Sequence, residues 1–375
     1  MADSSGDGRV FASDRMTSRQ RLLAALHGQE TDRVPYWAKV CNDTWRTTQP
    51  ADVRQLTDRQ LLDYIHADGL FGTPSVIRQV RPHVTIEHEL IENGRTQVTH
   101  TPDGDLVERW QQDAATRSWH PVEFPVKSAQ DVRRYRWLYR DVGWETNAEG
   151  LQKARARMAE IGQRGIGVTG CGTSPLMELV EHAIGPENVH FMLADCPDLM
   201  EELIALMHES RCRQIKAIAQ ATPADVIVSV ENTSTTLISP PQFLRWCHPH
   251  LCEYGRIIEG EGKLHELHMC GLLLALLPWI DTIGACSIEA FTAPTLGNTR
   301  LADGRAKAPS KTLIGGTNCM VWLRPLEQIK RFIEGEIRAC PDRRRIILTT
   351  AGVAPPACSA DTFRQVGQWL AGLAL

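Results

Sequence analysis

Asp225-Val226-Ile227-Val228-Ser229-Val230-Glu231-Asn232 is a short, almost continuous apolar run that closes on two polar residues. A run too short for a helix and apolar to both sides reads as a strand buried on both faces, the habit of parallel sheets. Runs of the same kind recur at residues 36–40, near Leu70, and at 167–170, 264–270 (LHELHMC), 287–290, 312–318 (TLIGGTN) and 345–350 (RIILTT), with helical periodicity between them. Eight such strands alternating with helices predict an α/β fold of the (β/α)8 TIM-barrel kind. A doubly wound open sheet is the competing architecture, but no G-x-G-x-x-G follows the first strand.

Outward from these runs, residues 1–15 are rich in Ser, Asp and Gly and read as a disordered tail, leaving 16–375 as a single barrel domain. Thr17-x-x-Gln20 is a capping box opening a helix that carries Leu22, Leu23 and Leu26. Between about 84 and 125 the pattern changes: alternating residues are punctuated by Asn93-Gly94 and Pro102-Asp103-Gly104, which predict a small antiparallel insertion.

With 41 Lys+Arg against 45 Asp+Glu, a net charge of −4 and no long basic run, neither nucleic acid nor a membrane surface is an expected partner. The longest apolar candidate for a span, residues 272–280, falls short of roughly 18 residues and contains Pro278. No apolar leader follows Met1, and the eleven cysteines form no C-x-x-C pair, so reduced thiols in a cytoplasmic protein are expected.

Chemistry concentrates in His265-Glu266-Leu267-His268-Met269-Cys270-Gly271. A strand alternates its side chains, so His268 and Cys270 point the same way, at the strand end where barrel active sites lie. Imidazole and thiolate suit zinc; a carboxylate from Glu289, at the end of the next strand, makes a third ligand and leaves a fourth position open for a thiol. Zinc would hold that thiol as the thiolate that attacks an electrophilic methyl group. Glu231 and Asn232 are expected to contact substrate at the rim and Asn318 to orient it. Other readings stay open: the H-x-C pair as packed side chains, His265 as a hydrogen-bonded layer residue, Glu289 as a helix cap or a partner of an arginine such as Arg300.

Several stretches carry a family resemblance: Met16-Thr17-Ser18-Arg19-Gln20-Arg21 with Asp32-Arg33-Val34-Pro35, Thr236-Leu237-Ile238-Ser239-Pro240, His268-Met269-Cys270-Gly271, Ile314-Gly315-Gly316, and Pro355-Pro356. Together they resemble the uroporphyrinogen decarboxylase superfamily, and within it the zinc-dependent methyltransferases that move methyl groups between a corrinoid carrier and a thiol such as coenzyme M. The resemblance implies a zinc ion on His268 and Cys270, a small-molecule methyl donor or thiol acceptor, and a homodimer. It also implies a corrinoid on a separate protein, since nothing in the chain reads as a cobalamin-binding domain.

Those enzymes carry Gly-Cys just before Pro-Pro, where this chain has Ala351-Gly352-Val353-Ala354. Glu289 is the expected replacement ligand, with Cys358, Cys319 and Cys41 as alternatives. A cofactor-free decarboxylase is the second reading, although residues 34–45 hold Lys39 and Asp43 but no arginine to clamp a poly-acid substrate. A non-catalytic barrel that binds a ligand or a corrinoid protein is the third.

Overall fold

The computed structural model describes residues 7–114 and 118–373. Eight parallel strands form one sheet: β1 (Tyr36–Trp37), β2 (Gly69–Gly72), β3 (Gly165–Gly172), β4 (Val226–Val230), β5 (Leu264–His268), β6 (Ser287–Phe291), β7 (Thr312–Gly315) and β8 (Ile346–Thr349). Their order is β1-β8-β7-β6-β5-β4-β3-β2, with helices outside, and every strand expected from the sequence is present. The two ends of the order meet through Asp68. Its N–H donates to the Tyr36 carbonyl at 2.6 Å, and its carboxylate accepts the Tyr36 N–H at 3.0 Å. The barrel is nearly closed as a result.

Two hydrophobic clusters follow from the alternation of the strands. The larger joins the strands' outer faces to the helices, and the smaller gathers Leu70, Ile166, Val226, Ile314 and Ile347 around Leu22 and Leu26. Leu22 and Leu26 belong to α1 (Ser18–Leu26), whose Thr17/Gln20 capping box is formed and which plugs the N-terminal end of the barrel.

Beneath that plug lies an ion-pair cluster. Arg21, fully buried, pairs with Asp14 at 2.8 Å, Asp32 at 2.7 Å and Asp68 at 2.6 Å, and Arg33 joins Asp14 and Asp68. The tail expected over 1–15 therefore divides: residues 1–6 lie outside the described residues, while from Asp7 on the chain is laid on the barrel. Asp14 enters the cluster, and Phe11 packs its ring on His66 at 4.8 Å.

The insertion is a four-stranded antiparallel sheet of Thr85–Ile91, Gly94–Thr101, Gly104–Gln112 and Trp119–Glu123, turning at Asn93 and at Pro102-Asp103 as expected. A second antiparallel pair, Ile77–Val80 with Gly143–Thr146, had no clear sequence signal. Among the described residues no helix is long and apolar enough to cross a membrane.

Candidate active site

Strand register assembles the site. Val226 pairs with Leu264, Val228 with Glu266 and Val230 with His268. Because Val226 and Leu264 lie with the inner cluster, Glu266 and then His268 face inward too, one layer at a time toward the C-terminal mouth. On β6, Ser287 stands beside Glu266 and Glu289 beside His268. A bulge at Ala290, whose φ is +61°, then ends the regular pairing with β7. Lys39, two residues past the inward-facing Trp37, reaches the same layer.

Glu289 is the centre of this layer. One oxygen accepts from Lys39 Nζ at 2.9 Å and the other is hydrogen-bonded to His268 Nδ1. Burial would raise the carboxyl's pKa, but Lys39 and His268 outweigh it and hold it near 2. Burial likewise opposes charge on His268, yet its hydrogen bonds to Cys270 and Glu289 prevail and raise the imidazole to about 9. At neutral pH the mouth holds an imidazolium and an ammonium around one carboxylate. One layer down, burial and the charge of Glu289 push Glu266 up to about 7, and the Ser287 hydroxyl donates to it at 3.0 Å. Two neighbouring carboxyls with opposite shifts are an acid–base arrangement.

At the rim, Cys270 is exposed and its thiol donates to Asn232 Oδ1 at 3.1 Å. Asn232 has a left-handed φ of +44° and donates through Nδ2 to Glu181 Oε2 at 2.8 Å. Glu181 lies on a π-helical turn (Leu179–Ala183), and its other oxygen is buried without a partner. Burial raises its pKa. Sequence reasoning missed Glu181, because only the π-turn aims it at the mouth, and it noted Lys39 only in a stretch without arginine.

Three expected roles need correction. Glu231 is buried, accepting from Thr173 Oγ1 at 2.8 Å and from the Ser174 N–H at 2.7 Å, and it ties the loops after β3 and β4 together where a rim residue was expected. Asn318 spends its amide on the Ala293 and Pro294 carbonyls at 3.1 and 2.8 Å and accepts the Val321 N–H on its oxygen, so it latches a loop. Glu289 is not a free ligand, since both its oxygens are committed; Arg300 pairs instead with Glu336. His265 is the layer residue foreseen as one option, hydrogen-bonded to Ser229 Oγ at 2.9 Å.

The zinc expectation meets this geometry directly. Glu289 on His268 Nδ1 is how a carboxylate orients a metal-binding histidine, and it leaves Nε2 for the mouth. Beyond His268 and Cys270, however, no third donor arrives among the described residues: their ligand atoms and that of Glu289 do not all lie within 4.8 Å of one another. Cys358 is buried with its thiol on the Ser359 carbonyl, and the Cys41 thiol faces the Asp58 carbonyl. Two donors beside a lysine ammonium do not fit a catalytic zinc, which takes three protein ligands.

The family model for uroporphyrinogen decarboxylase (URO-D) matches residues 121–366. The chain belongs to this family. No curated protein matches it significantly. Among solved structures, the URO-D-family barrel described here is similar to a methyltransferase from Methanosarcina mazei. The TM-score is 0.59 at 14% identity, over 95% of this chain and 98% of that one. A Shewanella B12-independent methionine synthase in complex with selenomethionine shares 12% identity over 70% of this chain and 73% of that one, with a TM-score of only 0.39. The first likeness is one of fold.

Proposed function

We propose that this URO-D-family chain is a methyl-transfer enzyme that passes a methyl group between a corrinoid held by a separate protein and a small thiol, without a zinc ion at the barrel mouth. The observation that carries the reading is the Cys270–His268–Glu289–Lys39 line. An imidazolium oriented by Glu289, with a second cation beside it at the mouth, supports thiol binding there. A cation beside a thiol lowers its pKa and supplies the thiolate. The imidazolium then does electrostatically what a metal would do by coordination. The thiolate sulfur forms the new S–C bond as the donor–methyl bond breaks, and the bonding pair stays on the donor. His268 keeps its proton throughout, Glu289 fixes the ring, and Asn232 and Glu181 shape the rim.

A cofactor-free decarboxylase is the second reading, favoured by Glu266: a buried carboxyl titrating near 7 is a competent proton donor to a carbanion. Against it, residues 34–45 contain no arginine. The two arginines that flank this stretch are both engaged: Arg33 by Asp14 and Asp68 at the opposite end of the barrel, and Arg46 by Asp58 at 2.6 Å.

The test incubates chelator-stripped protein with methylcobalamin and mercaptoethanesulfonate, following the corrin spectrum and the thioether by mass spectrometry. The expected result is transfer that survives the chelator and falls by about 100-fold or more in His268→Ala. Transfer that stops on stripping and returns with zinc overturns the metal-free mechanism. Absence of transfer together with CO2 release from a small carboxylic acid selects the decarboxylase.

A further inference from the structure

Two helices of the outer layer, α2 (Pro197–Ala221) and α3 (His248–Gly260), pack side by side. His208 and Cys212 are four residues apart on α2 and so share a face, with Cys212 Sγ 3.7 Å from His208 Nε2. Glu253 reaches across from α3 and places Oε2 2.9 Å from the same nitrogen. Among the described residues this is the one group of three or more His, Cys, Asp or Glu side chains whose ligand atoms all lie within 4.8 Å of one another. No step at the barrel mouth uses it.

The surroundings orient the donors. His208 Nδ1 lies 3.3 Å from the Tyr254 hydroxyl, a partner that leaves Nε2 to face Cys212 and Glu253. Arg256 approaches the other oxygen of Glu253 at 3.5 Å. His250 stacks on His208 with ring centroids 4.0 Å apart, and its Nδ1 is buried without a hydrogen-bond partner.

We propose that His208, Cys212 and Glu253 bind a zinc-class divalent cation that pins α2 to α3. Imidazole nitrogen, thiolate sulfur and carboxylate oxygen are the donor set of zinc, and bonds of about 2.0–2.3 Å from one ion would hold such donors at close to the separations seen. Binding releases the proton of Cys212, which burial and Glu253 otherwise keep on the sulfur. A fourth position remains for water or His250. Lying in the helical layer, the ion would act on stability and not on the transfer step.

The test titrates the chelator-stripped full chain with Co2+ and then Zn2+. One equivalent of cobalt should give a near-ultraviolet sulfur-to-cobalt charge-transfer band that zinc displaces, and zinc should raise Tm by several degrees. Cys212→Ser should abolish the band, and either it or Glu253→Gln should weaken binding by about 100-fold or more, with far-ultraviolet circular dichroism confirming that both variants fold. Cys270→Ser should leave band and affinity intact. A band that survives Cys212→Ser or disappears in Cys270→Ser overturns the site, as does the lack of saturable cobalt binding by the wild type.

Discussion

At the scale of single residues, Glu289 decides the chemistry of the mouth because it joins the two cations there, Lys39 and His268. Glu289→Gln leaves Lys39 and His268 facing each other with no counter-charge, so only the Cys270 hydrogen bond is left to oppose burial and Lys39, and the imidazole falls below its value of about 9. In the proposed transfer the active form is the imidazolium, present below that pKa. Wild-type transfer should therefore hold as pH rises and fall only as it passes about 9. In Glu289→Gln the fall should move down toward the ordinary histidine value of about 6.5, and the fold should lose on the order of 3 kcal/mol. A pH–rate profile with an unmoved alkaline limb would refute this role. The pair His268 and Cys270 was legible because strand alternation sends both side chains one way. The real partner of Glu289 was not, because it depends on the lateral register of β5 on β6 and on a lysine more than two hundred residues earlier in the sequence. Asn318 shows the same blindness: a polar residue at a strand end looks identical in sequence whether it meets a ligand or a loop carbonyl.

At the scale of elements, the strands announced themselves through apolar runs that close on polar residues, and the insertion through its turn residues. Neither the loop ties nor the π-turns did, since those depend on which loops become neighbours after folding. Glu231 is such a tie. Burial raises its pKa; one of its oxygens takes both the Ser174 N–H and the Thr173 hydroxyl, and the other takes the Ser174 hydroxyl. Glu231→Gln keeps the amide oxygen as acceptor for the Ser174 N–H and the Thr173 hydroxyl, while its NH2 donates to the Ser174 hydroxyl oxygen, and should cost less than about 1 kcal/mol. Glu231→Ala strands the buried Ser174 N–H, opens a cavity and should cost about 2–4 kcal/mol. Urea unfolding of the two variants separates them; equal losses would mean that the carboxylate's charge and not its acceptor geometry holds the loops. Asn232 adds a backbone argument. At φ +44° it tolerates Gly better than a β-branched residue, so Asn232→Val should be less stable than Asn232→Gly by about 1 kcal/mol or more.

At the scale of the whole molecule, the barrel separates its tasks by end: the mouth carries the charges available to a ligand, and the opposite end locks the closure between β1 and β2. The motif residues Arg21, Asp32 and Arg33 belong to that lock, which is why they speak for family and fold and so little for activity. Asp68 sits at its centre. Burial would raise its carboxyl, but Arg33 and Arg21 outweigh that and lower it to about 2, against 3.8 for an ordinary aspartate. A folded-state value below the unfolded one means the stabilisation is complete above pH 4 and is lost as pH falls toward 2; it amounts to about 2 kcal/mol. Arg21→Met removes the central cation while filling its space. At pH 7 it should cost about 3–5 kcal/mol, since it leaves buried carboxylates short of a partner. It should also flatten the fall in stability between pH 4 and 2, because Asp68 then keeps a pKa nearer its unfolded value. Denaturant midpoints at pH 7, 4 and 3 measure both effects in one series. A variant that loses stability at pH 7 yet keeps the wild-type slope in acid would show that Arg21 acts by packing alone, and that the acid sensitivity of the barrel arises elsewhere.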